Sequence, residues 1–148
     1  MKRIALFAKK VFKQDLSVFE DLLKGIIELG WEPILEQDLA QQLLTKFQWK
    51  TTHQTFSTFQ DLQNGFDLMI SLGGDGTFLK AVSFVRNSGI PILGINTGRL
   101  GFLSNIPKTH IDQTLQRFNA GHYEFQKRSL LRVHTENDLL SDENFALN

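Results

Sequence analysis

Short apolar runs alternate with longer stretches of helical spacing along this chain. Ile4 to Ala8 predicts a buried first strand, and Lys9 to Gln14 a polar loop. Leu16, Phe19, Leu22, Leu23, Ile26 and Ile27 then recur as one face of a helix. Ser17 and Glu20 have capping-box spacing, Asp15 competes as the cap, and Gly30 supplies the stop. Trp31 to Leu35 predicts a second strand, shortened by Pro33. Asp38 is placed to cap a second helix carrying Leu39, Leu43, Leu44 and Phe47. Gln48 to Thr58 is polar and rich in threonine, a surface loop or edge strand, and Phe59 to Asn64 predicts one helical turn.

Asp67 to Leu72 is the third clear strand. It ends in a glycine loop, after which Phe78, Leu79, Ala81, Val82 and Val85 follow helical spacing as far as Gly89. Pro91 to Asn96 is the fourth strand and runs into a second glycine loop, Asn96 to Leu103. Pro107 opens a helix with Ile111, Leu115 and Phe118 that ends near Gly121. Strands alternating with helices imply βαβ crossovers, hence an α/β fold with a doubly wound, mostly parallel, Rossmann-like sheet. The pattern changes after Gly121. Tyr123 to Thr135 alternates loosely, Glu136 to Glu143 is an acidic turn region, and Phe145 to Asn148 begins an apolar strand. The expected organisation is an α/β domain over residues 1–121 and, over 122–148, the beginning of a truncated β-rich second domain.

A chain of 148 residues, 41% hydrophobic and 22% charged, can bury an ordinary globular core. Sixteen basic residues balance sixteen acidic ones, so no overall basic footprint points to nucleic acid. The absence of cysteine excludes disulfides and thiolate metal sites, and it fits a reducing compartment. The N-terminal apolar run is too short for a signal peptide, and no stretch approaches membrane-spanning length. A soluble cytoplasmic protein is the expectation.

The chemistry concentrates in the two loops. Gly73, Gly74 and Gly76 surround Asp75 at the end of a strand, where glycines allow backbone N–H groups to approach a phosphate closely. A carboxylate among them would repel that phosphate unless it has work to do there as a base, a metal contact or a sugar-hydroxyl acceptor. Capping of the following helix is the alternative use of Asp75. Thr77 and Lys80 fall in the first turn of that helix, within reach of a phosphate. In the second loop Arg99 can meet phosphate charge, Asn96 can hold the loop or read a sugar hydroxyl, and Phe102 can stack on a base or be buried. There is neither a Gly-Lys-Ser/Thr P-loop nor a Gly-x-Gly-x-x-Gly fingerprint, and the four histidines lack metal-ligand spacing. Both loops lie at the carboxyl ends of consecutive predicted strands, where open α/β sheets bind ligands.

Gly73-Gly74-Asp75-Gly76-Thr77 resembles the motif shared by NAD kinases, diacylglycerol and sphingosine kinases and, more loosely, phosphofructokinases. Asn96-Thr97-Gly98-Arg99-Leu100-Gly101-Phe102-Leu103 resembles the NAD kinase signature, as do Arg128 to Leu131 and Phe145 to Asn148. The resemblance implies the N-terminal portion of a bacterial-type NAD kinase. Such an enzyme transfers the terminal phosphate of ATP, or of polyphosphate, with Mg²⁺, to the 2′-hydroxyl of the adenosine ribose of NAD. It further implies Asp75 as proton acceptor, Gly76 against NAD, Phe102 lining the adenine pocket, Asn148 near the nicotinamide-side ribose and Lys80 on the nucleotide. Small-molecule nucleotides would be the partners, without nucleic acid or membrane, and the full-length enzyme would be a homo-oligomer. Residues 1–148 alone are expected to be inactive, and Asp75→Asn in a full-length enzyme to lose turnover while keeping NAD affinity. A lipid kinase or a non-catalytic NAD(P)-sensing module is the alternative.

Overall fold

Strand β1 (Arg3–Phe7) sets the plan of the molecule in a computed structural model that describes residues 1–49, 53–63, 65–133 and 145–147. Alternate residues of a strand point to opposite faces of its sheet. Ile4 and Leu6 accordingly enter one core and Ala5 and Phe7 another. β4 (Leu68–Leu72) repeats the division, with Leu68, Ile70 and Leu72 on the first face and Met69 on the second. A strand buried on both sides needs helices on both sides. The first face is covered by α1 (Leu16–Glu28), α2 (Gln37–Phe47) and the later helix α5 (Ile111–Asn119), through Phe19, Leu22, Ile26, Leu39, Leu43 and Leu115. The second is covered by α3 (Phe59–Leu62) and α4 (Asp75–Val85), through Leu62, Ala81 and Val85.

The six-stranded sheet also holds β2 (Glu32–Glu36), β3 (Thr55–Phe56), β5 (Ile92–Asn96) and β6 (Ile106–Pro107). Its order is β3-β2-β1-β4-β5-β6, and every pairing is parallel. The doubly wound arrangement expected from the sequence is therefore present. Beyond α5, β7 (Leu130–Arg132) and β8 (Phe145–Leu147) form a separate antiparallel pair, with Leu131 opposite Ala146.

Several local expectations are corrected. Pro33 does not shorten β2: its missing N–H falls on the side facing β3, which pairs only with Leu35 and Glu36. Asp38 is not the cap of α2. The Glu36 carboxylate takes that role, accepting from the N–H groups of Asp38 at 3.0 Å and Leu39 at 2.9 Å. Asp15 occupies the N-cap position of α1 without a capping bond, and its carboxylate turns back to the Phe12 N–H. Ser17 lies inside that helix. Ile27 and Leu44 are half exposed, one step off the buried stripes of their helices. Pro107 closes the short strand β6 and leads through a 3₁₀ turn, Lys108–His110, into α5. Residues 122–129 carry no regular structure, and the acidic turn expected at Glu136 to Glu143 lies outside the described residues.

Candidate functional site

The chain winds outward from β1 to β3 and then returns to β4 on the other side of β1. Connections leaving β1 and β4 therefore diverge to opposite faces and open a crevice at the carboxyl ends of the strands. A cleft of about 500 Å³ lies there. Lys9 and Lys10 enter it after β1, Gly73, Gly74 and Thr77 after β4, and Lys46 from α2. Gln42 braces one wall, accepting from the Val11 N–H at 3.2 Å and from Lys46 Nζ at 3.4 Å while donating to the Lys9 carbonyl. Among the described residues three lysines face the cleft and no carboxylate lines it. In a chain of zero net charge that local excess favours an anion.

The first glycine loop turns β4 into α4. Gly73 has a positive φ of 147°, and a Cβ there would collide with the Thr77 side chain. Thr77 thus packs within its own turn as well as lining the cleft. Gly76 differs. Its φ is not positive, and nothing stands within 4 Å of where its Cβ would be. Gly74 is equally open, and as the N-cap of α4 it holds a position that tolerates glycine better than alanine. A glycine in the first turn of a helix weakens that helix. Among the described residues no demand of the chain accounts for Gly76, and the space its side chain would take is open. The Thr77 and Phe78 N–H groups bond to the Gly74 carbonyl, while those of Asp75 and Gly76 precede any carbonyl of α4 and add partial positive charge at the same place.

Asp75 does not cap α4. Its carboxylate crosses to the second loop, where Oδ2 accepts from the Phe102 N–H at 2.9 Å and Oδ1 from Leu103 at 3.0 Å and Ser104 at 2.9 Å. The N–H donors of Ser104 and Phe102, and to a lesser extent Leu103, hold its pKa below the ordinary aspartate range against the opposing effect of desolvation. A carboxylate offers about four acceptor positions. Three are taken by these donors, two on Oδ1 and one on Oδ2.

The second loop is built by Asn96, which is buried at the end of β5. Its side chain donates to the Ser104 carbonyl at 3.0 Å and accepts from the Gly98 N–H at 2.8 Å. Of the two uses read from the sequence, holding the loop is the one the geometry displays. Arg99 is exposed on the same loop, and Lys80 lies half-buried on α4. Phe102 is 95% exposed, so burial is not its role. Its ring rims a second cavity of about 1020 Å³, bounded also by Phe78, Leu103, Tyr123 and Leu147. Asn148 lies outside the described residues.

Sequence reasoning missed Lys9, Lys10 and Lys46. The first two follow a strand end directly, which was the available signal; Lys46 carries none, because only the fold brings α2 to the cleft. Gly94 and Gly101 were also missed as site-forming positions. Glu36 stands where dinucleotide sites carry a ribose-binding acid at the end of the second strand. Here it caps α2, and burial raises its pKa against the lowering effect of its two N–H donors. That removes the usual dinucleotide mode.

The sequence profile of the ATP-NAD kinase N-terminal domain matches residues 7–123. This chain belongs to the NAD kinase family. The NAD kinase of Flavobacterium johnsoniae is 36% identical over 148 residues, covering 99% of this chain and 50% of that protein. The NAD kinase of Bacteroides fragilis is 47% identical over 88 residues, 58% of this chain and 30% of that protein. The chain spans about half the length of the curated relatives it matches. Yeast NADH kinase complexed with NADH superposes with a TM-score of 0.67 at 24% identity, over 89% of this chain and 42% of that one. An NAD kinase from Archaeoglobus fulgidus in complex with ATP gives 0.58 at 24% identity, over 87% and 41%. At that identity the two structures speak for the fold. Membership of the NAD kinase family favours this reading over the lipid kinases that share the first glycine motif.

Proposed function

We propose that this chain forms the N-terminal part of an NAD kinase, which transfers a phosphoryl group from ATP or polyphosphate to the 2′-hydroxyl of the adenosine ribose of NAD, giving NADP. One observation carries the reading. At the switch point of the sheet, the Asp75 carboxylate, with two of these bonds on Oδ1 and one on Oδ2, stands beside Gly76, whose side-chain space is open.

Asp75 receives the ribose hydroxyl on Oδ2. Its lowered pKa makes it a weak base, which suits a loose transition state in which the alcohol proton leaves late. Orientation is then its main contribution until the new P–O bond has formed. Gly76 lets the ribose approach, and Phe102 offers its exposed ring to the adenine. Lys9, Lys10 and Lys46 line the cleft that suits the donor phosphates, with the Gly74 backbone and the Thr77 hydroxyl as hydrogen-bonding floor. Lys80 and Arg99 add positive charge at the rims, and Asn148 contacts the nicotinamide-side ribose. Mg²⁺ enters on the donor as part of the substrate, where it offsets the phosphate charge.

Residues 1–121 would form the nucleotide-kinase domain and 122–148 the opening of a β-rich one. β7 and β8 support the division: among the described residues they form a sheet of their own. Among the described residues no helix is long and apolar enough to cross a membrane. A cytoplasmic, homo-oligomeric enzyme is the reading proposed. Incubating the intact protein with NAD and Mg-ATP, then with polyphosphate, and measuring NADP tests it. NADP formation is expected; nucleotide binding without turnover would support the sensing module instead.

A further inference from the structure

The backbone of residues 102–104 is held by several contacts at once. Their three N–H groups converge on the Asp75 carboxylate. The Ser104 carbonyl accepts from Asn96 Nδ2 at 3.0 Å and from the Gly101 N–H at 3.2 Å. A Cβ at Gly101 would overlap the carboxyl group of Asp75, whereas φ there is not positive. A Cβ at Gly94, in β5, would stand 2.8 Å from Ser104 Cα and 2.9 Å from the Leu103 carbonyl oxygen. Both are backbone atoms and cannot swing aside. These two glycines are therefore required by packing against the second loop, not by a turn.

We infer that Asp75, Gly94 and Gly101 form a latch: the two glycines leave room for residues 102–104 to dock, the carboxylate fixes their N–H groups, and Phe102 is thereby presented to the nucleotide. Gly94 and Gly101 are positioning residues, and Asp75 positions the loop in addition to meeting the ribose. The identity of the ligand rests on the function proposed above, while the latch is a property of the chain alone. One consequence revises the sequence-based expectation that Asp75→Asn spares NAD affinity. An amide keeps one acceptor oxygen but turns an NH₂ group toward donors, so the loop loosens and the platform is lost with it.

Two measurements test the latch. In ligand-free intact protein, amide exchange at residues 102–104 is expected to quicken at least about tenfold in Asp75→Asn and to stay at the wild-type rate in Phe102→Ala, which keeps every latch bond. Unchanged exchange in Asp75→Asn overturns the inference whatever the ligand proves to be. NADH binding, followed by its fluorescence, supplies a double-mutant cycle. Gly101→Ala is expected to weaken binding about tenfold in the wild-type background and less than about twofold in Asp75→Ala, where the collision is gone. Equal losses in both backgrounds overturn the coupling. Phe102→Ala should weaken NADH by at least about fivefold through lost stacking. Should Gly101→Ala fail to fold, the Asp75→Asn exchange rate decides; should NADH bind no variant, the function is wrong and the exchange result still judges the latch.

Discussion

Gly76 and Gly101 both lie beside Asp75, yet they are glycine for opposite reasons. Where Gly76 would carry a side chain there is open space, and where Gly101 would carry one the Asp75 carboxyl group already stands. The first position is open, and in the function proposed above it admits the ligand; the second is filled by the chain's own packing. The same contrast separates the two loops as wholes. At the start of α4 the N–H groups of Asp75 and Gly76 precede any helical carbonyl, whereas residues 102–104 have theirs satisfied by one carboxylate. Asp75 joins an open surface to a closed one, so chemistry and pocket shape depend on the same side chain.

The largest test of this contrast removes the junction. Asp75→Asn should lower NAD kinase turnover of the intact protein by about 10²- to 10⁴-fold, the usual range for loss of a positioned proton acceptor; steady-state NADP formation within tenfold of wild type would remove Asp75 from the chemistry. Next, Gly76→Ala puts a methyl where the ligand is placed. Turnover should fall on the order of 100-fold, as for a displacement of about 1 Å at a reacting centre, and a wild-type rate would show that the space is not used. Gly94→Ala acts on the closed side instead and should cost about 1–3 kcal/mol of stability, read from urea unfolding, because backbone has to shift.

Lys46→Ala sharpens the assignment of the cleft. It should raise the donor KM by about three- to tenfold with little change for NAD, an effect that shrinks as salt rises. A change confined to the NAD KM would move the donor elsewhere. The smallest effect is on pH. The lowered pKa of Asp75 means that the latch contributes stability fully above the unfolded aspartate pKa and loses it as pH falls through the folded one. Exchange at residues 102–104, corrected for its intrinsic pH dependence, should stay at its neutral-pH level above the ordinary aspartate range and quicken progressively as pH falls through and below it. Loosening that is already complete above that range contradicts the N–H geometry.

Much of this molecule was legible in its sequence, and the parts that were not have a common cause. Ile4 to Ala8 and Asp67 to Leu72 read as buried strands because both faces of a doubly wound sheet are covered, leaving continuous apolar runs. The glycine-ringed Asp75 marked the switch point, since glycines and a carboxylate have little reason to share a strand end otherwise. Cap identities were misread where two acids stood two residues apart: Glu36 displaced Asp38 because the strand ends one residue later than its apolar pattern suggests. β6 was missed because two residues, one of them proline, carry no period. The Asp75–Phe102 bond spans 27 residues and joins two loops, so only the parallel packing of β4 against β5 makes it possible. Lys46 reaches the cleft by the same kind of long-range placement.

The contrast between the two glycines is tested most directly by paired thermal melts of Gly76→Ala and Gly101→Ala in the intact, ligand-free protein. Gly76→Ala should melt at or slightly above the wild-type temperature, because alanine improves an exposed first helical turn. Gly101→Ala should melt lower by roughly 3–10 °C, the shift for about 1–3 kcal/mol of overpacking in a domain of this size. Equal melting of the two variants, or a lower value for Gly76→Ala, would contradict the division between a position kept for a ligand and one kept for the fold.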